Sequence, residues 1–173
     1  MNTFNVAVDS SLVRKAMNFD MSDVKSRFKN EHSAPDSVVN ELEKELKRFL
    51  ILCSISSASS YGMRGPVDDL WHTFVIFTKQ YFTFCEGVAG KYLHHTPYVE
   101  GKSKEQIVQE ENDYNTFLAD YQRFFNEEAP SHVWPQPVRV FAEQGCAGGC
   151  SMNNDDDNNS GNTGGWGSLE LVA

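Results

Sequence analysis

The stretch that decides the fold is "GPVDDLWHTFVIFTKQYFTFC", residues 65–85, which combines two adjacent carboxylates, a histidine, a cysteine and six aromatic residues. Pro66 stands where proline is favoured, in the first turn of a helix, and Asp68 and Asp69 complement the helix dipole there. The preceding "SSASSYGMRG" has the serines and glycines of a loop. The stretch therefore predicts a helix that begins at Pro66.

Apolar side chains recur along this stretch at helical spacing. They form two neighbouring stripes. The first stripe comprises Leu70, Phe74, Phe77, Tyr81 and Phe84. The second stripe comprises Trp71, Val75, Thr78, Phe82 and Cys85. A helix that is apolar on most sides is buried, so we expect an unbroken helix over residues 66–86 at the centre of the fold.

Two further long helices are expected on either side of this one. Residues 35–37, Pro-Asp-Ser, favour a helix start. The inward positions of that helix are Val38 or Val39, Leu42, Leu46, Phe49 or Leu50, and Cys53. Ser103 and Gln106 have the spacing of a capping box, and Pro130 ends the helix that follows. Its predicted inward residues are Ile107, Tyr114, Phe117, Leu118, Tyr121, Phe124 and Phe125.

The fold class is therefore all-α, a bundle of three long helices. Val24 and Phe28, at i and i+4, indicate one or two short helices before them. Trp134, between two prolines, is expected to pack the last segment onto the bundle. We place a helical domain over 1–145 and a flexible Gly/Asn/Asp-rich tail over 146–173, a stretch without Lys or Arg.

Composition excludes several classes of partner and location. The net charge of -9 disfavours binding to a phosphate backbone, so nucleic acid is not expected as a partner. No stretch reaches the roughly 20 apolar residues that span a bilayer, and the N-terminus lacks the pattern of a signal peptide. We therefore expect a soluble, cytoplasmic protein with reduced cysteines, no membrane association and a protein as its partner.

His72 is the first candidate for a chemical role. Asp68 at i-4 and Asp69 at i-3 lie on its face of the helix and could orient the imidazole for metal binding or proton transfer. On an unbroken helix Cys85 would lie about 20 Å from His72, too far to share a metal. The alternative is a hydrogen-bonded histidine with no chemistry of its own.

A second candidate is "CEGVAGKYLHHTP", which holds Cys85, His94 and His95 near a helix end punctuated by glycines. Thiolate and imidazole suit zinc or iron, but a pair of histidines before a proline is also typical of a surface turn. About seven extended residues could just span the roughly 22 Å back to His72. The "CAGGC" of residues 146–150 has neither C-x-x-C spacing nor a second pair.

The segment over residues 62–97 resembles the glycine-rich-domain-containing-protein-like family. Its bacterial and phage-type members carry V-D-x-x-W-H-x-F, T-x-x-Y-x-x-F-C and H-H-x-P elements. In this chain the elements read Val67, Asp68, Trp71, His72, Phe74, Thr78, Tyr81, Phe84, Cys85, His94, His95 and Pro97. The resemblance implies a helical domain and a role for the polar residues of the signature, without implying a reaction.

Two hypotheses for the function follow, and neither decides whether the protein is an enzyme. The first, slightly favoured, is an interaction or accessory module. The second is a metal-binding protein or metal-dependent enzyme that uses zinc or iron. The candidate cluster is Asp68, Asp69, Trp71, His72, Cys85, His94 and His95, with His72, Asp68, Asp69, His94 and His95 as the possible metal ligands.

Overall fold

The computed structural model of the protein describes residues 10–56, 60–96 and 101–136, and these residues are all-helical. In chain order the helices are α1 (Ser10–Met17), α2 (Ser22–His32), α3 (Asp36–Ile55), α4 (Pro66–Ile76), α5 (Thr78–Phe84), a π-helical turn (Cys85–Ala89) and α6 (Lys104–Phe125). The described residues belong to one compact unit, residues 1–138. The predicted tail and the boundary at residue 145 lie outside the described residues.

Helix α3 is the element around which the others pack. It contacts α1, α2, α4, the π-helical turn and α6. Its residues Leu46, Leu50 and Ile51 are fully buried, because the apolar positions fall on several sides of the helix. The central position that we predicted for a helix over 66–86 therefore belongs to α3.

The prediction of one unbroken helix from Pro66 to Cys85 is wrong. The helix breaks at Phe77, whose backbone angles, φ -77° and ψ 61°, are those of an inverse γ-turn. Phe74 and Phe84 would lie about 15 Å apart along a straight helix. After the break their ring centroids are 5.6 Å apart, and both rings contact Phe19. Burial of these aromatic rings against one another offsets the helical hydrogen bonds that the break removes.

The break also changes which predicted apolar positions are buried. Leu70, Phe74, Tyr81 and Phe84 of the first stripe are fully buried. In the second stripe Trp71 and Cys85 are buried, whereas Thr78 and Phe82 are exposed. The second stripe loses its continuity because the residues after Phe77 no longer follow the axis of α4.

Three local predictions are confirmed. Two short helices precede the long ones, and Val24 and Phe28 of α2 are fully buried. The capping box of α6 is formed in both directions between Ser103 and Gln106. Trp134 is fully buried against Phe117, with ring centroids 4.6 Å apart.

Helix α6 differs from the prediction at both ends of its apolar face. Tyr114, Phe117 and Tyr121 are buried as expected, but Ile107 is 52% exposed. The first turns of α6 therefore extend beyond the core. The helix ends at Phe125, because Asn126 adopts the left-handed conformation of a helix C-terminus, several residues before Pro130.

The entry to α4 is packed closely by a segment near residue 134. Gly65, at φ +83°, precedes the helix, and a Cβ atom there would lie 2.7 Å from the carbonyl oxygen of Val133 and 2.8 Å from Cδ of Pro135. Only glycine fits this conformation and this space. The first turn of α4 is thus fixed by contact with residues 133–135.

No helix in the described part of the chain combines the length and the apolar character needed to cross a bilayer.

Candidate metal centre

Helix α4 places two polar side chains one turn apart. Pro66 occupies its first turn, and the break at Phe77 comes well after His72, so the prediction that Asp68 and His72 share a helix face holds locally. Asp68 is half-buried and His72 is exposed. The helix thus presents a carboxylate and an imidazole side by side at the protein surface.

The third side chain comes from the loop that follows the π-helical turn. Gly90 adopts the left-handed conformation and ends that turn, and the chain then returns toward α4. His95 Nε2 lies 2.9 Å from Asp68 Oδ1. The rings of His95 and His72 have centroids 4.4 Å apart. Of the two loop histidines that we considered, the structure brings His95 to His72.

The three side chains have the geometry of a metal-binding group. One ligand atom each from Asp68, His72 and His95 can be chosen so that all three lie within 4.8 Å of one another. His95 Nε2 and Asp68 Oδ1 are hydrogen-bonded at 2.9 Å, whereas two atoms about 2.0–2.1 Å from one metal are about 2.9 Å apart at an octahedral right angle and about 3.3 Å apart at a tetrahedral angle. The His72 ring, at a centroid distance of 4.4 Å from that of His95, supplies the third candidate ligand.

The imidazole of His95 is held on two sides. Its side chain is 9% exposed, whereas that of Asp68 is 35% exposed. The indole ring of Trp71 meets the His95 ring edge to face, with centroids 4.3 Å apart. Trp71 and Asp68, one turn apart on α4, thus limit the orientations that the His95 ring can adopt.

Tyr81 connects α4 to the loop that carries His95. Its hydroxyl accepts a hydrogen bond from Trp71 Nε1 at 3.2 Å and donates one to the carbonyl oxygen of Leu93 at 2.5 Å. Burial raises the pKa of Tyr81 above its ordinary value, and proximity to Cys85 adds to the increase. The phenol therefore remains protonated and able to donate.

Asp69 lies beside this group without belonging to it. The residue is exposed, yet desolvation of its carboxyl raises its pKa, with the neighbouring Asp68 adding to the increase. His32 and His72 act in the opposite direction, since a positive imidazole favours the ionised carboxylate. The structure therefore assigns Asp69 to the electrostatic surroundings of the three side chains.

The remaining predicted site residues lie elsewhere. Cys85 is buried within the π-helical turn, next to Tyr81. His94 is exposed and packs on Tyr92, with ring centroids 4.9 Å apart. Cys53 is half-buried, and burial raises its pKa to about 12, so its thiol stays neutral. Neither Cys85 nor His94 joins the group around His72. Residues 146–150 lie outside the described residues.

Sequence reasoning missed the part played by Tyr81 and Leu93. We assigned Tyr81 only to an apolar stripe. A buried tyrosine and a buried tryptophan each carry one polar atom that needs a partner, and this requirement was the available signal. Leu93 offered no signal, because its backbone carbonyl accepts the bond and any residue type provides one.

Comparison with known proteins places the chain in a different family from the one its signature suggested. No curated protein and no solved structure matches the chain. Residues 11–118, more than half of the chain, match the UCP032817-like family. This match overturns the resemblance to the glycine-rich-domain-containing-protein-like family, which rested on about 40 residues of spaced motif. The matched range contains most of α1, all of α2 to α5, and Asp68, His72 and His95. The chain belongs to the UCP032817-like family.

Proposed function

We propose that the protein binds a divalent transition-metal ion through Asp68, His72 and His95. The observation that carries the proposal is the convergence of these three side chains, from one helix face and a separate loop, within 4.8 Å. Asp68 and His72 lie on α4, whereas His95 lies in the loop that follows the π-helical turn. If His95 were only a structural histidine bonded to Asp68, the exposed imidazole of His72 beside it would have no role.

The ligand set favours zinc or iron. Two imidazoles and one carboxylate form the usual ligands of mononuclear zinc sites and of non-haem iron(II) sites. Three protein ligands leave at least one coordination position open, which is typical of catalytic rather than structural sites. The exposed side of His72 gives a small molecule access to that position. A metal there would act as a Lewis acid toward such a molecule.

The test compares two histidine variants in metal content and metal affinity. We expect the wild type to bind one zinc or iron(II) ion per chain, and His72→Ala to lose it. His132→Ala is the matched control, because His132 is an exposed histidine that pairs with Glu41 at 2.9 Å outside the group. Metal analysis of purified, metal-loaded protein and isothermal titration calorimetry provide the measurements.

Cys85→Ala should retain the metal, because this thiol is buried in the π-helical turn. Loss of metal in the cysteine variant alone would overturn the ligand assignment. A wild type that takes up neither zinc nor iron(II), under reducing and anaerobic loading, would overturn the proposal itself.

The expectation of a protein partner stays a prediction, as does the cytoplasmic location. Ile107 and Val108 at the start of α6 are two adjacent exposed apolar residues. Single exposed apolar side chains are common on protein surfaces, and a pair of them is smaller than an interaction patch. The interaction module therefore ranks second to metal binding.

A further inference from the structure

We infer that the Tyr81 hydroxyl is a positioning group that holds the His95 loop in the conformation that binds metal. The inference rests on the proposed metal site and deepens it. His95 is the one member of the group that lies outside a helix. Its place relative to Asp68 and His72 therefore depends on what anchors the loop.

In the described part of this loop, residues 91–96, contacts with α4 and α5 come from Tyr92, Leu93 and His95. The side chain of Leu93 is buried, and its carbonyl oxygen accepts the bond from Tyr81 at 2.5 Å. His95 follows two residues later and reaches Asp68. Lys91 and Tyr92, before Leu93, are exposed. Leu93 is thus the anchor nearest to the ligand.

The anchor is tied to the helix that carries the other two ligands. Trp71 lies between Asp68 and His72 on α4, and its indole N–H donates to the same Tyr81 oxygen at 3.2 Å. The Trp71 ring also contacts the His95 ring. One hydroxyl therefore links α4, through Trp71, to the loop, through Leu93. Groups that orient metal ligands through such bonds typically affect metal affinity by about 10- to 100-fold.

The inference also gives the phenol a role that an apolar ring could not fill. The rings of Phe74 and Tyr92 contact the ring of Tyr81 edge to face, so a phenylalanine at position 81 would keep these packing contacts. What the hydroxyl adds is a donor for a buried backbone carbonyl and an acceptor for a buried indole N–H. Both of these groups would otherwise lack a partner.

The experiment is the substitution Tyr81→Phe in the full chain, with Tyr114→Phe as the matched control. Tyr114 also donates from its hydroxyl to a backbone carbonyl, that of Pro135 at 2.8 Å, in a segment that carries no ligand. We expect Tyr81→Phe to weaken zinc binding by about 10- to 100-fold and Tyr114→Phe to leave it within about twofold. Circular dichroism should show the same helix content for both variants.

Two spectroscopic readouts separate positioning from a general loss of stability. Bound cobalt(II) should give an altered visible absorption spectrum in Tyr81→Phe and an unaltered one in Tyr114→Phe. In the metal-free proteins, the ring signals of His95 in ¹H–¹⁵N spectra should shift or broaden in Tyr81→Phe alone. This last measurement tests the positioning of His95 without any metal.

The outcomes distinguish this inference from the proposed function. Equal zinc affinity in the wild type and Tyr81→Phe, together with unchanged His95 signals, overturns the positioning role and leaves the metal site standing. A wild type that binds no metal, but whose His95 signals respond to Tyr81→Phe, overturns the metal site and leaves the positioning of His95 standing. Equal weakening in both tyrosine variants also overturns the inference, because the effect would then follow from stability.

Discussion

Two carboxylates, Glu45 and Asp68, show how differently one protein can surround the same chemical group. Glu45 of α3 is 1% exposed, and its Oε2 accepts hydrogen bonds from Tyr121 Oη at 2.8 Å and from Trp134 Nε1 at 2.9 Å. Asp68 of α4 keeps a third of its side-chain surface and has the imidazole of His95 as its partner at 2.9 Å. Aromatic residues lie next to both carboxylates: Tyr121 and Trp134 contact Glu45, and Trp71 packs on His95, the partner of Asp68.

The difference lies in how many lone pairs are left for a ligand. Arg48 Nη1 lies 3.6 Å from the second oxygen of Glu45, so both oxygens of this buried carboxylate face protein donors. This carboxylate joins α3 to Tyr121 of α6 and to Trp134, and at 1% exposure it is closed to a ligand from solvent. Asp68 retains acceptor capacity and stands beside an exposed imidazole. The first arrangement is structural, and the second is open to a ligand.

The largest expected effect is the loss of folding stability when Glu45 is replaced. Glu45→Ala leaves Tyr121, Trp134 and Arg48 without their shared acceptor inside the protein. Arg48 keeps Glu127 at 2.9 Å, so the cost falls on the buried Tyr121 hydroxyl and Trp134 N–H, and each buried donor left without an acceptor typically costs about 1–3 kcal/mol. We expect the two losses together in the free energy of unfolding, measured by urea denaturation, with metal affinity in the folded variant unchanged.

Asp68→Ala is the matched control for that measurement. It removes a half-exposed carboxylate, and exposed ion pairs contribute about 0–1 kcal/mol. The unfolding free energy should therefore fall by less than about 1 kcal/mol, while metal binding is lost. If Asp68→Ala lost more stability than Glu45→Ala, the assignment of a structural role to Glu45 and a ligand role to Asp68 would be wrong.

A smaller effect is expected when only one donor to Glu45 is removed. Trp134→Phe keeps an aromatic ring against Phe49 and Phe117 but loses the N–H that donates to Glu45. Hydrogen bonds to charged groups contribute about 1.5–3 kcal/mol, so we expect a loss of about 2 kcal/mol in urea denaturation. If Trp134→Phe costs as much stability as Glu45→Ala, the indole ring contributes mainly through packing and not through its hydrogen bond to Glu45.

The smallest expected effect concerns the pH dependence of a third carboxylate, Glu43. Burial alone would raise its pKa, but hydrogen bonds and ion pairs with Lys25 and Lys47 outweigh burial and lower the pKa below its ordinary value. A group with a lowered folded-state pKa stabilises the fold above its unfolded pKa, and this stabilisation is lost as the pH falls through the folded-state value. Glu43→Gln should therefore flatten the acid side of the stability profile by less than about 1 kcal/mol.

Glu41→Gln is the comparison for this measurement, because in the described part of the chain the ion pair of Glu41 is with His132, an exposed histidine. Thermal unfolding between pH 3 and pH 6 provides the measurement. If both variants change the profile equally, the two lysines around Glu43 contribute no more than a surface pair does.

The parts of this fold that could be predicted from sequence are those decided by neighbours in the chain. The capping box at Ser103, the proline at the start of α4 and the pairing of Asp68 with His72 all depend on residues within one helical turn. The break at Phe77 could not be predicted, since no glycine or proline marks it. It depends on contacts of Phe74 and Phe84 with Phe19, which lies far away in the sequence.

The same reasoning applies to the candidate site. A pair of histidines, His94 and His95, offered no means of choosing between them. The choice follows from the bond between Tyr81 and Leu93, which fixes the loop and directs the second histidine toward α4. Both histidine side chains could be read from the sequence, whereas the hydrogen bond to the Leu93 carbonyl oxygen could not.

The tight fit of Gly65 against Val133 and Pro135 has a consequence for the order of events during synthesis. The helix that carries Asp68 and His72 leaves the ribosome well before the residues that its first turn packs against. At roughly 5–20 residues per second, several seconds separate the two events. A nascent chain therefore exposes both ligands on a helix whose start is still unsupported. Once His95 has also been synthesised, metal encountered in that interval would meet all three proposed ligands before residues 133–135 are available to pack against Gly65.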